Sequence, residues 1–154
     1  MTLAVEVSRA PRTTGVPSPR LLGRWASAAA GRKGARAVVS LRVVGPAEGR
    51  RLNRDYRGRD YATNVLSFPA GAVPAVVPRP LGDLVVCASV VAREAREQQK
   101  AVRAHWAHLV VHGVLHLLGH DHEDEGEARR MERREIAVLR GLGFPNPYRV
   151  NDHG

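Results

Sequence analysis

The hydrophobic pattern changes period at Ser89, and that change limits the possible folds more than any other feature of the chain. Before it, apolar residues come in short alternating or β-branched runs: 3–7 (LAVEV), 37–44 (AVVSLRVV), 64–68 (NVLSF) and 84–88 (LVVCA). Runs of this length, bounded by Gly, Pro and polar residues, read as strands. After it, apolar residues recur at helical spacing. Ser89 is placed to cap a helix over 90–100, with Arg93–Glu97 and Glu94–Gln98 at supporting i,i+4 spacing. A long helix is predicted over 102–118, stopped by Gly119, and a last one over 125–139, with Met131, Glu132, Glu135 and Leu139 defining its faces. Residues 20–30, closed by Gly31, and 46–55 complete the helices. The stretch 71–80 (GAVPAVVPRP) holds three prolines and is expected to be loop. Strands first and helices later predict one α+β domain over 1–154. Its small mixed four-stranded sheet packs with about five helices, and residues 1–36 are the least specified part.

The single cysteine, Cys87, excludes an internal disulfide framework and a four-cysteine zinc site. No run approaches 18 apolar residues, so no membrane span is expected. The first residues, MTLAVE, lack a basic region followed by an apolar one, so no secretory signal is read and a reducing cytoplasm is the expected compartment. Charge is lopsided. Residues 1–60 hold 13 bases and 4 acids, which is the whole net excess of +9. All but two of the 24 bases are arginines, whose planar fork suits phosphate oxygens. A one-sided basic field is the footprint of a nucleic-acid binder. Codon bias gives the same composition, and a transit peptide the same first 36 residues, so charge alone does not decide.

Six of the seven histidines fall between 105 and 122. His112 and His116 lie one turn apart on one helix face, so their imidazoles can converge on one ion. Gly119 lets the chain leave the helix, and Asp121-His122 can fold back to the same point. Three nitrogen ligands with a fourth position open is the catalytic zinc arrangement; four protein ligands would mark a structural one. His105 lies about 16 Å of helical rise from His116, so all four helix histidines cannot serve one ion. His105 and His108 are therefore read as supporting or packing residues and His120 as a pocket wall. Asp121 is placed to orient a ligand imidazole. Glu123, Asp124, Glu125 and Glu127 favour the start of the next helix at its positive end.

This H-x3-H-x5-H spacing, with glycine three residues after the second histidine, equals that of the metzincin proteases. Gly113 stands where those proteases carry their glutamate base, and no acid occurs between Lys100 and Gly119. The peptide-cleaving base is missing from its usual place.

The run HGVLHLLGHDH (112–122) resembles the signature H-G-x-L-H-L-x-G-x-D-H of the YbeY family of bacterial rRNA-maturation endoribonucleases. So do LNRDYRGRDYATNVLSFP (52–69), LGDLVVCASVVAREAREQ from Leu81, and LGFPNPY (142–148). The similarity covers about 41–148. Arg59 departs from the usual lysine, and 71–80 is variable. The resemblance implies an α+β fold and one Zn2+ held by His112, His116 and His122. It implies single-strand endoribonuclease activity in maturation of the 16S rRNA 3′ end and in ribosome quality control, with ribosomal subunits and assembly factors as partners. Arg57, in the Tyr-Arg element, is expected at the active site.

The chemistry fits RNA cleavage without the missing glutamate. Zinc can bring the pKa of bound water to about 7, or the RNA 2′-hydroxyl can attack while zinc and Arg57 stabilise charge on the phosphorane oxygens. Tyr56, Tyr61 and Phe68 lie near Arg57 in sequence, as stacking residues or as core. With few aromatics, binding is expected to lean on phosphates and to weaken with salt. Two other readings stand beside this one: a metalloprotease that takes its base from elsewhere, and a non-catalytic ribosome-assembly factor with structural zinc.

Overall fold

A computed structural model describes residues 3–71, 76–119 and 124–148. The order is β1 (Ala4–Arg9), α1 (Pro19–Ala30), a 3-10 turn (Gly31–Gly34), β2 (Ala37–Val44), α2 (Pro46–Arg57), β3 (Val65–Pro69), β4 (Arg79–Cys87), α3 (Ala88–Glu97), α4 (Val102–Leu117) and α5 (Glu125–Gly141). The four strands form one mixed sheet in the order β1-β2-β4-β3, with β1–β2 and β2–β4 parallel and β3–β4 antiparallel. This is the α+β architecture that the change of period predicts.

Local chemistry sets the helix ends. Ser18 accepts from the Leu21 amide and Pro19 opens α1, where a missing N–H costs nothing. The Asp124 side chain accepts from the Gly126 amide at 2.7 Å to open α5, and Glu125 and Glu127 occupy its first turn. Ser89 does not cap α3. The helix begins at Ala88 directly off β4, so Ser89 already lies within its first turn. Of the two pairs expected on α3, Arg93–Glu97 forms at 3.7 Å, whereas Glu94 turns to His105 and Asn64.

The proline-rich segment is not loop throughout, since Arg79 and Pro80 belong to β4. Val38 of β2 pairs with Pro80 and Val39 with Gly82, leaving Leu81 as an extra residue. That bulge is how a central strand tolerates a proline. Gly82 next to it has φ +142°, and a Cβ there would stand 2.3 Å from the Phe68 carbonyl oxygen. Only glycine lets β3 close on β4.

Helix α4 is buried on most sides. Trp106, Val110 and Val114 meet Leu22 and Trp25 of α1, Val39 and Leu41 of β2, Leu84 of β4 and Met131 of α5 in one core. A smaller cluster of Val44, Cys87 and Val90 lies where Gly49 of α2 comes close to Cys87 and Val44. Gly82→Ala is expected to cost about 3 kcal/mol from steric overlap and backbone strain. Thermal unfolding should fall by roughly 6–12 °C, without change in far-UV signal at 20 °C.

Candidate functional site

Helix α4 carries four histidines on one stripe, because steps of three, four and four residues return to the same face. Their rings follow one another with centroids 6.3 Å (His105–His108), 6.2 Å (His108–His112) and 5.0 Å (His112–His116) apart. A cavity of about 260 Å3 lies against this stripe, lined by Arg57, Asn64, Val65, Ser67, His108, Leu109, His112, His116 and Tyr148. The structure thus brings Arg57, His112 and His116 to one cavity. His122, the third predicted ligand, lies outside the described residues, as do His120, Asp121 and Glu123.

Arg57 is the last residue of α2, two residues beyond the predicted end of that helix. Gly58, in the left-handed conformation with φ +68°, closes it. Buried Asn53 donates to the Tyr61 carbonyl at 2.8 Å, and Arg50 grips Asp60 through two bonds of 2.7 and 2.8 Å. These bonds fold the 58–61 turn back on α2 and fix where Arg57 emerges. Tyr56 and Tyr61 are not core: they are 69% and 52% exposed. Tyr56 rests edge-on against Phe68, with centroids 5.2 Å apart.

The residue that sequence reading missed is Glu135 of α5. It is completely buried, yet it is a carboxylate. His112 Nδ1 lies 2.5 Å from Oε1, His108 Nε2 lies 3.2 Å from Oε2, and the Tyr148 hydroxyl donates to Oε2. Burial alone pushes this carboxyl up, but the bonds to His108, His112 and Tyr148 overcome it and hold it at about 2. Tyr148 is delivered by the LGFPNPY segment. Phe144 seats edge-on against Trp25 at 5.7 Å, and Lys100 Nζ donates to the Pro147 carbonyl at 2.8 Å. Burial and the adjacent carboxylate push the Tyr148 hydroxyl up, so it stays a donor.

One layer out, His105 Nε2 meets Glu94 at 2.9 Å, and Glu94 also accepts from Asn64 of the cavity wall at 3.0 Å. Burial pushes His105 down toward its neutral form, against the pull of Glu94. His108, His112 and Glu135 offer ligand atoms all within 4.8 Å of one another, a group able to hold a cation.

The depressed Glu135 carboxyl has a definite sign in stability. A group held at about 2 against an ordinary 4.5 stabilises the fold above pH 4.5, and that stability is lost as pH falls toward 2. Glu135→Gln is therefore expected to cost at most about 3 kcal/mol at pH 7. Urea unfolding at pH 7, 5.5, 3.5 and 2.5 should show the full wild-type advantage at the first two values and a shrinking one below them.

Comparisons with known proteins agree with this picture. The family model described as Endoribonuclease YbeY matches residues 21–143. A protein of Alkalilimnicola ehrlichii named Endoribonuclease YbeY is 59% identical over 142 residues, 90% of this chain and 86% of its own. One of Stenotrophomonas maltophilia, with the same name, is 54% identical over 151 residues, covering 95% and 93%. The solution structure of TM1509 from Thermotoga maritima shares the fold, with TM-score 0.58 and 24% identity over 97% of this chain and 98% of that one. With the model and both relatives spanning the helices and strands that build the cavity, the chain belongs to the endoribonuclease YbeY family.

Proposed function

We propose that this chain is a zinc-dependent endoribonuclease that cuts single-stranded RNA. It acts in the cytoplasm on ribosomal RNA, at the 16S 3′ end and in ribosome quality control, with ribosomal subunits and assembly factors as partners. The observation that carries the chemistry is the shared cavity: Arg57 from α2 faces the same space as His112 and His116 from α4. The family and the names of its members supply the substrate class.

His112, His116 and His122 would hold the one ion. The donor chemistry on the described side favours this set: Glu135 engages Nδ1 of His112, which leaves Nε2 as the ligating atom, the usual carboxylate–imidazole arrangement around zinc. When bound, such an ion supplies Lewis acidity sufficient to bring water near a pKa of about 7. Arg57 binds the phosphate through its paired N–H groups and steadies the negative charge that grows on the non-bridging oxygens. Glu135 keeps the His112 ring oriented; attack on phosphorus by water or the 2′-hydroxyl breaks the P–O bond to a bridging ester oxygen, which leaves with a proton. A metzincin-type glutamate has no place here. A Cβ on Gly113 would already stand 2.8 Å from buried Leu84, so the proteolytic base finds no room on this helix face.

A second ligand set, His108, His112 and Glu135, is favoured by the 4.8 Å grouping of its donor atoms. It would require Glu135 to exchange its bonds to His108, His112 and Tyr148 for the ion. The variants separate the two. His116→Ala is expected to abolish stoichiometric zinc by elemental analysis, and His108→Ala to retain it; the reverse outcome would select the second set. His112→Ala should lose both zinc and RNA cleavage, and Arg57→Ala should keep zinc while cleavage of a single-stranded oligoribonucleotide falls at least 100-fold. Full activity in Arg57→Ala would remove its phosphate role. Casein hydrolysis by the same preparation would favour the protease, and unfolding on chelation a structural ion.

A further inference from the structure

A second cavity, of about 920 Å3, lies between the start of α4 and the segment that follows α5, and His108 lines both it and the smaller one. Three cationic side chains, Lys100, Arg103 and Arg140, stand on its wall, and no acidic side chain does among the described residues. Lys100 is spent on the Pro147 carbonyl. Arg103 and Arg140 are exposed and, among the described residues, in no ion pair. Arg20 and Arg24 share these traits at another cavity; Arg103 and Arg140 differ in that theirs shares His108 with the site cavity. The first turn of α4 holds no acid either. The wall also offers the half-buried Phe144 ring and the Asn146 side chain. Unpaired guanidinium groups in an acid-free hollow attract a polyanion, and their forked donors match phosphate oxygens.

We propose that this cavity is a second RNA site, in which Arg103 and Arg140 hold backbone phosphates of the strand as it continues past His108 from the metal cavity. The proposal rests on the nuclease reading. The volume exceeds what one nucleotide fills, and the common His108 makes the two hollows neighbours along a single path. Recognition here is of the sugar–phosphate backbone. It adds affinity for longer strands rather than base choice.

The test uses the full-length zinc-loaded enzyme and two fluorogenic single-stranded RNAs, of 4 and 12 nucleotides, with KM measured for cleavage of each. Wild type is expected to show a KM at least 10-fold lower for the longer strand. Arg103→Gln/Arg140→Gln should reduce that ratio to about 2 or less. It should also lower the slope of log KM against log salt on the 12-mer by about 1.4, two phosphates at roughly 0.7 each. A control pair with the same change of charge, Arg20→Gln/Arg24→Gln, lies at a separate cavity beside Leu3 and should keep the wild-type ratio. The proposal is overturned if the Arg103/Arg140 variant keeps the ratio and the slope, or if the control loses as much, since the effect would then be one of net charge. A cavity that takes an acidic protein segment instead would give the first of these results. Failure of the wild type to cleave either RNA would overturn the nuclease reading itself, and this proposal with it.

Discussion

A carboxylate with no exposure to water is tolerable only if its charge is answered, and Glu135 is answered by two imidazoles and a phenol. That one buried charge connects three separate pieces of chain. Helix α4 gives His108 and His112, α5 gives the carboxylate, and the segment after α5 gives Tyr148. His112 answers Oε1, while His108 and Tyr148 share Oε2. The packing of α5 and the closing of residues 142–148 therefore determine how the histidine stripe faces its cavity. Stability and site geometry rest on the same bonds.

The sheet contributes the other wall. The bulge at Leu81 and the glycine at 82 let β3 lie close along β4, and β3 in turn presents Val65 and Ser67 to the cavity. Gly113 lets α4 approach that wall so closely that a methyl group would strike Leu84. The same closeness that forms the cavity denies the helix a catalytic glutamate. On the proposed nuclease reading the phosphate is held by Arg57, which lines the same cavity from the end of α2, beside the turn that Asn53 and Arg50 fold back.

Much of this was legible before the structure. The β-branched run over 37–44, ended by Gly45-Pro46, coincides with β2, and the helical period of α4 places His112 and His116 together. The misses have physical causes. Arg79 and Pro80 look like loop because a proline in a central strand is intelligible only once the bulge is known. Ser89 looks like a cap because strand β4 runs into α3 with no connecting residue to cap it. Glu135 stands 23 residues from His112; its place on the i,i+4 stripe Met131–Glu135–Leu139 marks it for the buried face, but nothing local shows which groups answer its charge. Tyr148 is similar: its motif is visible, but its contact depends on a fold-back fixed by Phe144 and Lys100. His122 belongs to the part of the sequence reading that lies outside the described residues.

The most direct measurement of the central interaction is the tautomer of His112 in the zinc-loaded protein, read by long-range 1H–15N correlation of 15N-labelled imidazoles. If Glu135 orients the ring, His112 carries its proton on Nδ1 and binds the ion through Nε2, with Nδ1 resonating as a hydrogen-bonded N–H. A His112 protonated on Nε2, or one that binds the ion through Nδ1, would contradict the role given to Glu135 and the ligand geometry built on it.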